Sequence, residues 1–340
     1  MDAREFIAGT VGGCAGVFAG HPFDVVKTRL QSAPKSFVST TDCLNKTYVR
    51  EGVKGFFKGI LPPIVSNAPI SALVFGSYGA ALRGIQVVRG DDATTTTTLR
   101  EDGGAARAPP NLADVAAAGF IAGGVSSVIV APTELIKVRL QTAAHARESA
   151  HYHATTATPP AAGAKALRGA LPPRLPAAAT TWAALSPARF FGTGLGLVRE
   201  TQNCVSQVVK EGGPFNLFRG FNQTLARESL SYACYFASYE AALRAMTPKG
   251  KEPSSWAILA AGSLSGILVW GPVYPIDVVK TRIQACKKRY AMSSMQCAQR
   301  ILKSEGMHGF FRGFMPTMAR AVPVNAITFL VFEQVNRCLS

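Results

Sequence analysis

Apolar residues gather along this chain into six long stretches, roughly 5–31, 60–82, 112–141, 221–244, 256–284 and 315–337. As helices, at about 1.5 Å rise per residue, each covers a hydrocarbon core of about 30 Å. None is a clean apolar block, because Gly, Pro, Ser and Asn interrupt them all. Such residues are tolerated in helices that surround a polar cavity, where neighbouring helices and water satisfy the freed backbone groups.

One interruption recurs. HPFDVVKTRLQ (21–31), APTELIKVRLQ (131–141) and YPIDVVKTRIQ (274–284) end the three odd-numbered stretches. Each carries a proline (Pro22, Pro132, Pro275), then an acid (Asp24, Glu134, Asp277), a lysine (Lys27, Lys137, Lys280), an arginine and a glutamine (Gln31, Gln141, Gln284) at fixed offsets. A compound pattern repeated three times marks an internal repeat and overrides any local reading. Glycine pairs align with it at Gly9/Gly13, Gly119/Gly123 and Gly262/Gly266. Each is a GxxxG step, which permits close backbone contact between helices.

A second shared feature follows each odd stretch: EGVKGFFKG (51–59), EGGPFNLFRG (211–220) and EGMHGFFRG (305–313). The segments just before, TTDCLNKTYVR, TQNCVSQVVK and SMQCAQRILKS, have the three- and four-residue apolar steps of short amphipathic surface helices. Three units of about 1–100, 111–245 and 254–340 result, each with two spans and one surface helix. Proline to acid-Gly spans 29 residues in the first unit, 30 in the third and 79 in the second. The excess, about 143–190, is Ala/Pro/Thr-rich and its composition does not support a packed core. Its histidines, His145, His151 and His153, are read as coincidental and not as a metal site.

Composition agrees with a lipid environment. Of 340 residues 48% are hydrophobic and only 16% charged, and mean hydropathy is +0.16. A soluble domain carries about 25% charge. The net charge of +16 does not indicate nucleic acid, since no nucleic-acid motif occurs and the bases lie beside apolar runs. Seven cysteines without a CxxC support neither a disulfide framework nor a zinc or iron–sulfur site. No nucleophile has a partner at catalytic spacing, so an enzyme is not expected. The N-terminus MDAREFIAGTVGG shows no Arg-rich extension or signal peptide, which leaves targeting information to be internal. Lys27–Lys58 holds seven bases against two acids, whereas Arg83–Pro110 holds four of each. The loops from odd to even spans should therefore face the interior compartment, with both termini on the other side.

Each proline should kink its helix. Acid and lysine lie three residues apart and share a helix face. Paired across helices instead, they would form a ring: Asp24 with Lys137, Glu134 with Lys280, Asp277 with Lys27. Charges at that depth need partners or water, and a closed ring would be a gate. Gln31, Gln141 and Gln284 would brace it. Counted from Gly59, Gly220 and Gly313, one level of the even helices holds Asn67, Arg227, Glu228 and Arg320. Arg320 suits a carboxylate and Glu228 an ammonium, with Arg227 serving Glu228 or the carboxylate. These would be the substrate-binding residues, for a zwitterion or an amino acid with a cationic side chain.

The tripled motif resembles the mitochondrial carrier family over nearly all of 5–337 outside the insertion. The resemblance implies an all-α membrane protein with six transmembrane helices around a central cavity and three surface helices on the matrix side. It also implies exchange of a small-molecule substrate across the mitochondrial inner membrane by alternating access, without cofactor or metal, by a monomer in contact with the bilayer and its cardiolipin. RAVPVNAITFLVFE (320–333) is similar to ornithine-type and carnitine/acylcarnitine-type carriers, and the Arg227–Glu228 pair to ornithine-type and other amino acid carriers, which implies basic amino acids first and carnitine/acylcarnitine or another amino acid-like zwitterion second. Ile70 departs from the glutamate of the ornithine type. A family motif on the even helices, aromatic-acid followed by a base, is incomplete here. Gly79 follows Tyr78, and although Glu240 and Glu333 are present, Arg83, Arg244 and Arg337 come one place late. A weak network is expected on that side.

Overall fold

The computed structural model describes residues 3–34, 36–89, 97–99, 105–107, 110–156, 194–248, 253–285 and 293–339. It is built of helices: α1 (Ala3–Ser32), α2 (Thr40–Glu51), α3 (Leu61–Val88), α4 (Leu112–Thr156), α5 (Gly194–Gly212), α6 (Phe221–Met246), α7 (Ser255–Leu268), α8 (Trp270–Ala285), α9 (Ser294–Glu305) and α10 (Phe314–Leu339). One short antiparallel pair, Thr97–Leu99 with Ala105–Arg107, departs from the all-α expectation in the linker before α4. Most of the 143–190 insertion lies outside the described residues, although α4 continues into its start.

Each long helix packs on the next, α1 on α3, α3 on α4, α4 on α6, α6 on α7 and α8, and α7 on α10, while α10 packs extensively on α1. Among the described residues three helical segments, Val53–Val88, Leu112–Thr142 and Met307–Cys338, are long and apolar enough to cross a membrane. α7 and α8 together make a fourth, bent by 46°. α1 and α6 are as long, but their charged and polar residues dilute the apolar content. Asp24, Lys27 and Arg29 do so in α1, and Arg227, Glu228, Glu240 and Arg244 in α6.

All three signature prolines, Pro22, Pro132 and Pro275, lie inside helices. In the third repeat the break falls at Val269, ahead of Pro275. Its cause is Pro272, which the other two repeats lack. A proline removes the hydrogen bond to the carbonyl four residues back and clashes with it, and that carbonyl belongs to Leu268, the last residue of α7.

The glycine pairs are also used unequally. In α4, a Cβ on Gly119 would come 2.6 Å from the Tyr232 carbonyl oxygen, and one on Gly123 would strike the Glu228 backbone, so α4 and α6 touch backbone to backbone. In α1 the close approach shifts by one face. A Cβ on Gly12 would come 2.8 Å from the Thr328 carbonyl oxygen of α10 and one on Gly16 would strike the Thr328 hydroxyl, while a Cβ on Gly9 would meet open space and one on Gly13 the Asn67 amide. A Cβ on Gly262 would meet nothing closer than a Tyr239 ring atom at 4.0 Å, and one on Gly266 would meet open space. Gly123→Leu is accordingly expected to abolish folding or cost several kcal/mol, since only backbone lies in the way, whereas Gly266→Leu should be near neutral. Thermal unfolding in detergent compares the two, and equal losses would refute the assignment of the α4–α6 seam.

Helices form at the three segments where short amphipathic ones were expected. α2 and α9 start at N-caps, where the Ser39 hydroxyl accepts from the Asp42 amide and the Ser293 hydroxyl from the Gln296 amide in a capping box. They end at Gly52 (φ 64°) and Gly306 (φ 68°). The second repeat has one residue more. Gly212 is absorbed into α5 and Gly213 takes the left-handed position (φ 79°), which only glycine adopts without strain.

Candidate functional site

α1, α4 and α8 converge at the level of their signature segments and bring the six signature charges together. Lys137 Nζ lies 2.7 Å from Asp24 and Lys27 Nζ 2.7 Å from Asp277, and Lys280 pairs with Glu134. Each acid thus meets the lysine of another helix. Lys27 also stands 4.6 Å above the Trp270 ring and 5.5 Å from that of Tyr274, a favourable place for a cation. A cavity of about 60 Å³ remains between the pairs, bounded by Gln31 and Gln284 on the side of the surface helices.

The three glutamines are all buried but do not act alike. The Gln31 amide donates to the Tyr274 hydroxyl and to Asp277, each at 3.3 Å. The Gln141 and Gln284 side chains have no hydrogen-bond partner among the described residues. They pack instead under the glycines that close the aromatic-base-Gly turns, Gln141 against Gly59 and Gln284 against Gly220. Only one of the three expected braces is a hydrogen-bonded brace. The reason is Tyr274, a hydroxyl-bearing neighbour where the other repeats have His21 and Ala131.

Below the ring lies a second set of ion pairs that the sequence reading did not assign. Arg29 holds Glu51 at 2.5 Å, Arg139 holds Glu211 at 3.3 Å, and Arg282 grips Glu305 through two bonds of 2.6 and 2.9 Å. Lys58 adds to Glu51 and Arg312 to Glu305. Every signature arginine therefore ties its long helix to the acid-Gly turn of its own repeat. The signal was present in the sequence, since the arginine and the acid-Gly recur together three times. Burial alone would raise the Glu51 carboxyl, but Arg29 and Lys58 outweigh it and hold it below the usual glutamate range. The Arg282 bonds do the same for Glu305.

The four expected substrate residues are not all in one place. The Arg227 guanidinium reaches Glu134 at 2.8 Å, contacts Glu228 and lies 3.7 Å from Asp277. Arg320 Nε lies 2.9 Å from Asp24. Both arginines are thus engaged by acids of the ring. Asn67 lines a separate cavity of about 180 Å³ with Ser66, Ile70, Thr133, Glu134 and Lys137. Arg227, Glu228 and Arg320 do not line that cavity. On the opposite side of the molecule, Arg244 pairs with Glu240 and Arg337 with Glu333 within their own helices, four residues apart.

Apolar helices around a charged, partly hollow centre define a membrane transport protein. The family model described as "Mitochondrial carrier protein" matches residues 3–87, 109–250 and 251–340, and the chain belongs to the mitochondrial carrier family. It is a mitochondrial solute-carrier-type transporter and not an enzyme, a multi-pass protein of the inner membrane. It is 32% identical to human "Solute carrier family 25 member 45" over 339 residues, covering 99% of each chain. It is 33% identical to the Arabidopsis thaliana "Mitochondrial carnitine/acylcarnitine carrier-like protein" over 348 residues (99% and 98% covered). To mouse "Mitochondrial ornithine transporter 1" it is 29% identical over 341 residues (97% and 93%).

Proposed function

We propose that this carrier exchanges basic amino acids, namely ornithine, arginine or lysine, across the inner membrane by alternating access. In this reading six helices cross the bilayer as three repeats, the surface helices face the matrix, both termini face the intermembrane space, and the ring of Asp24, Glu134, Asp277 and their lysines is the matrix gate. The observation that supports it is the sharing of acids between ring and arginines, Asp24 by Lys137 and Arg320, Glu134 by Lys280 and Arg227. A substrate carboxylate that takes Arg320 or Arg227 competes with Asp24 and Glu134 for the same guanidinium. Each acid then keeps only one cation, and the ring loosens. Glu228, released from Arg227, accepts the substrate amine. Substrate binding in this way offsets the cost of parting buried ion pairs.

One observation favours a second reading. Ile70 lines the cavity wall where an ornithine-type carrier would carry an acid for the distal amine. A quaternary ammonium, as in carnitine, needs no such acceptor, and one relative bears a carnitine/acylcarnitine name.

Exchange by proteoliposomes preloaded with each candidate decides between them. Wild type should exchange ornithine, lysine or arginine well above neutral amino acids, nucleotides and dicarboxylates, and Glu228→Gln should lower exchange by about tenfold or more, the equivalent of one lost charge-assisted contact of ~1.4 kcal/mol. Acylcarnitine exchange without basic amino acid exchange would install the second reading. Dicarboxylate or nucleotide exchange alone would discard both.

A further inference from the structure

We propose that the rings of Tyr78 and Phe236, with Tyr232 beside them, form a subsite for the cationic end of the substrate. The proposal rests on the basic amino acid reading above and supplies what that reading lacks, a partner for the distal ammonium where Ile70 offers none.

The placement follows from helix geometry. Tyr78 lies eleven residues beyond Asn67 on α3, which at about 100° per residue is three turns and returns to within about 20° of the same face. Asn67 lines the cavity, so Tyr78 projects from the cavity face. Its ring stacks on Phe236 of α6 with centroids 4.1 Å apart and planes at 19°. α3 and α6 both pack on α4, so the two rings meet in front of α4. Phe236 faces Tyr232 at 6.0 Å, and Tyr235 and Phe75 meet it edge-on at 5.7 and 6.5 Å. None of Tyr78, Tyr232, Tyr235 and Phe236 is fully buried, so ring surface remains open to a ligand.

The spacing suits the substrate. From Glu228 to Tyr232 is one turn, about 6 Å along α6, and to Phe236 about 12 Å. An extended lysine side chain reaches roughly 6 Å from its Cα. A carboxylate held at Arg227 and Arg320 therefore sends the distal ammonium to the level of Tyr232, whose ring centroid is 6.0 Å from that of Phe236, with Tyr78 stacked on Phe236 beyond it. Ring faces carry negative potential and attract a cation within about 6 Å of the centroid. Gly79 and Ile70 bring no acid from α3; Glu240 of α6 acts on Tyr78 from across the wall but is paired with Arg244, so the ring faces add negative potential that is not already neutralised. Lys27 over Trp270 shows the same chemistry elsewhere in this chain.

The test compares lysine with norleucine, which has nearly the same shape and no side-chain charge. In proteoliposomes, Tyr78→Leu and Phe236→Leu should raise KM for lysine about 3- to 30-fold, leave inhibition by norleucine unchanged, and leave Tyr78→Phe near wild type. Fluorinated phenylalanine at Phe236 keeps the shape but drains the ring face, and should weaken lysine in step with fluorine count even if the leucine variants fold poorly. Equal effects on lysine and norleucine, or no dependence on fluorination, would reduce the rings to packing and overturn the subsite. A separate readout is thermal stabilisation in detergent by tetramethylammonium against sodium, expected in wild type and absent in Phe236→Leu. That result without any lysine exchange would keep the subsite and discard the amino acid reading. Lysine exchange with unchanged KM in Phe236→Leu would do the reverse.

Discussion

Lys137→Ala is expected to lower exchange in proteoliposomes by about tenfold or more, and Asp24→Lys combined with Lys137→Asp to recover only part of the loss. Truncating one member of a fully buried charge pair costs about 3–5 kcal/mol. Here the cost should fall below that range, because Asp24 keeps Arg320 at 2.9 Å and both side chains retain some solvent contact, 19% for Lys137 and 13% for Asp24. The same arginine explains why the swap is incomplete: a lysine at position 24 would face Arg320. A cleaner restoration adds Arg320→Gln to the swap and reads thermal stability, since Arg320 itself is a proposed substrate contact. Lys280→Ala should behave like Lys137→Ala, with Arg227 left to hold Glu134. Coupling between Asp24 and Lys137 measured by a double-mutant cycle should exceed about 0.5 kcal/mol. A cycle that closes to zero, with wild-type exchange in both single variants, would remove the gate role from the ring.

Arg29→Leu should destabilise the protein by about 3 kcal/mol, more than any loss from the exposed pairs Arg244–Glu240 or Arg337–Glu333. The side chains of Arg29 and Glu51 are almost wholly buried, the arginine also donates to the Thr47 hydroxyl at 2.9 Å, and removing it leaves Glu51 with Lys58 alone. Exposed pairs within one helix contribute only about 0.3–0.5 kcal/mol. The pair also fixes a pH dependence. The Glu51 carboxyl is held below its ordinary range in the folded protein, so the folded state binds its proton later than the unfolded chain does. Its contribution is complete above the unfolded value of about 4.3 and is lost as pH falls through the lower folded value. Glu305, lowered by Arg282 and Arg312, adds in the same direction. Thermal unfolding in detergent between pH 3 and 6 should show a fall at the acid end that is shallower in Arg29→Leu. Parallel curves would refute the linkage.

The three-repeat chemistry was legible in the sequence because it depends on fixed offsets within a helix. Proline, acid, lysine, arginine and glutamine at constant spacing set which residues share a helix face, and the positive glycine torsions at Gly52 and Gly306 follow from the acid-Gly pattern. The surface helices were equally readable, since capping by Ser39 and Ser293 and an apolar stripe are local properties. The internal break of the third odd helix was written in Pro272, yet the shared signature drew the expectation to Pro275.

Contacts between helices were decided elsewhere. Helical periodicity says which residues point inward but not how far each helix is rotated or slid against its neighbour. A rotation of about 60°, three positions along the helix at about 100° each, turned the α1 seam against α10 from Gly9/Gly13 to Gly12/Gly16, which face Thr328. It is likewise tertiary packing that hands Asp24 to Arg320 and Glu134 to Arg227, places Asn67 in a cavity those arginines do not line, and leaves Gln141 and Gln284 without hydrogen bonds while Gln31 finds Tyr274. Sequence by itself determined the family, the repeat and the residues that bear charge. The tertiary structure alone decided which charge meets which, because a salt bridge across helices depends on angstroms of approach that no spacing along one chain encodes.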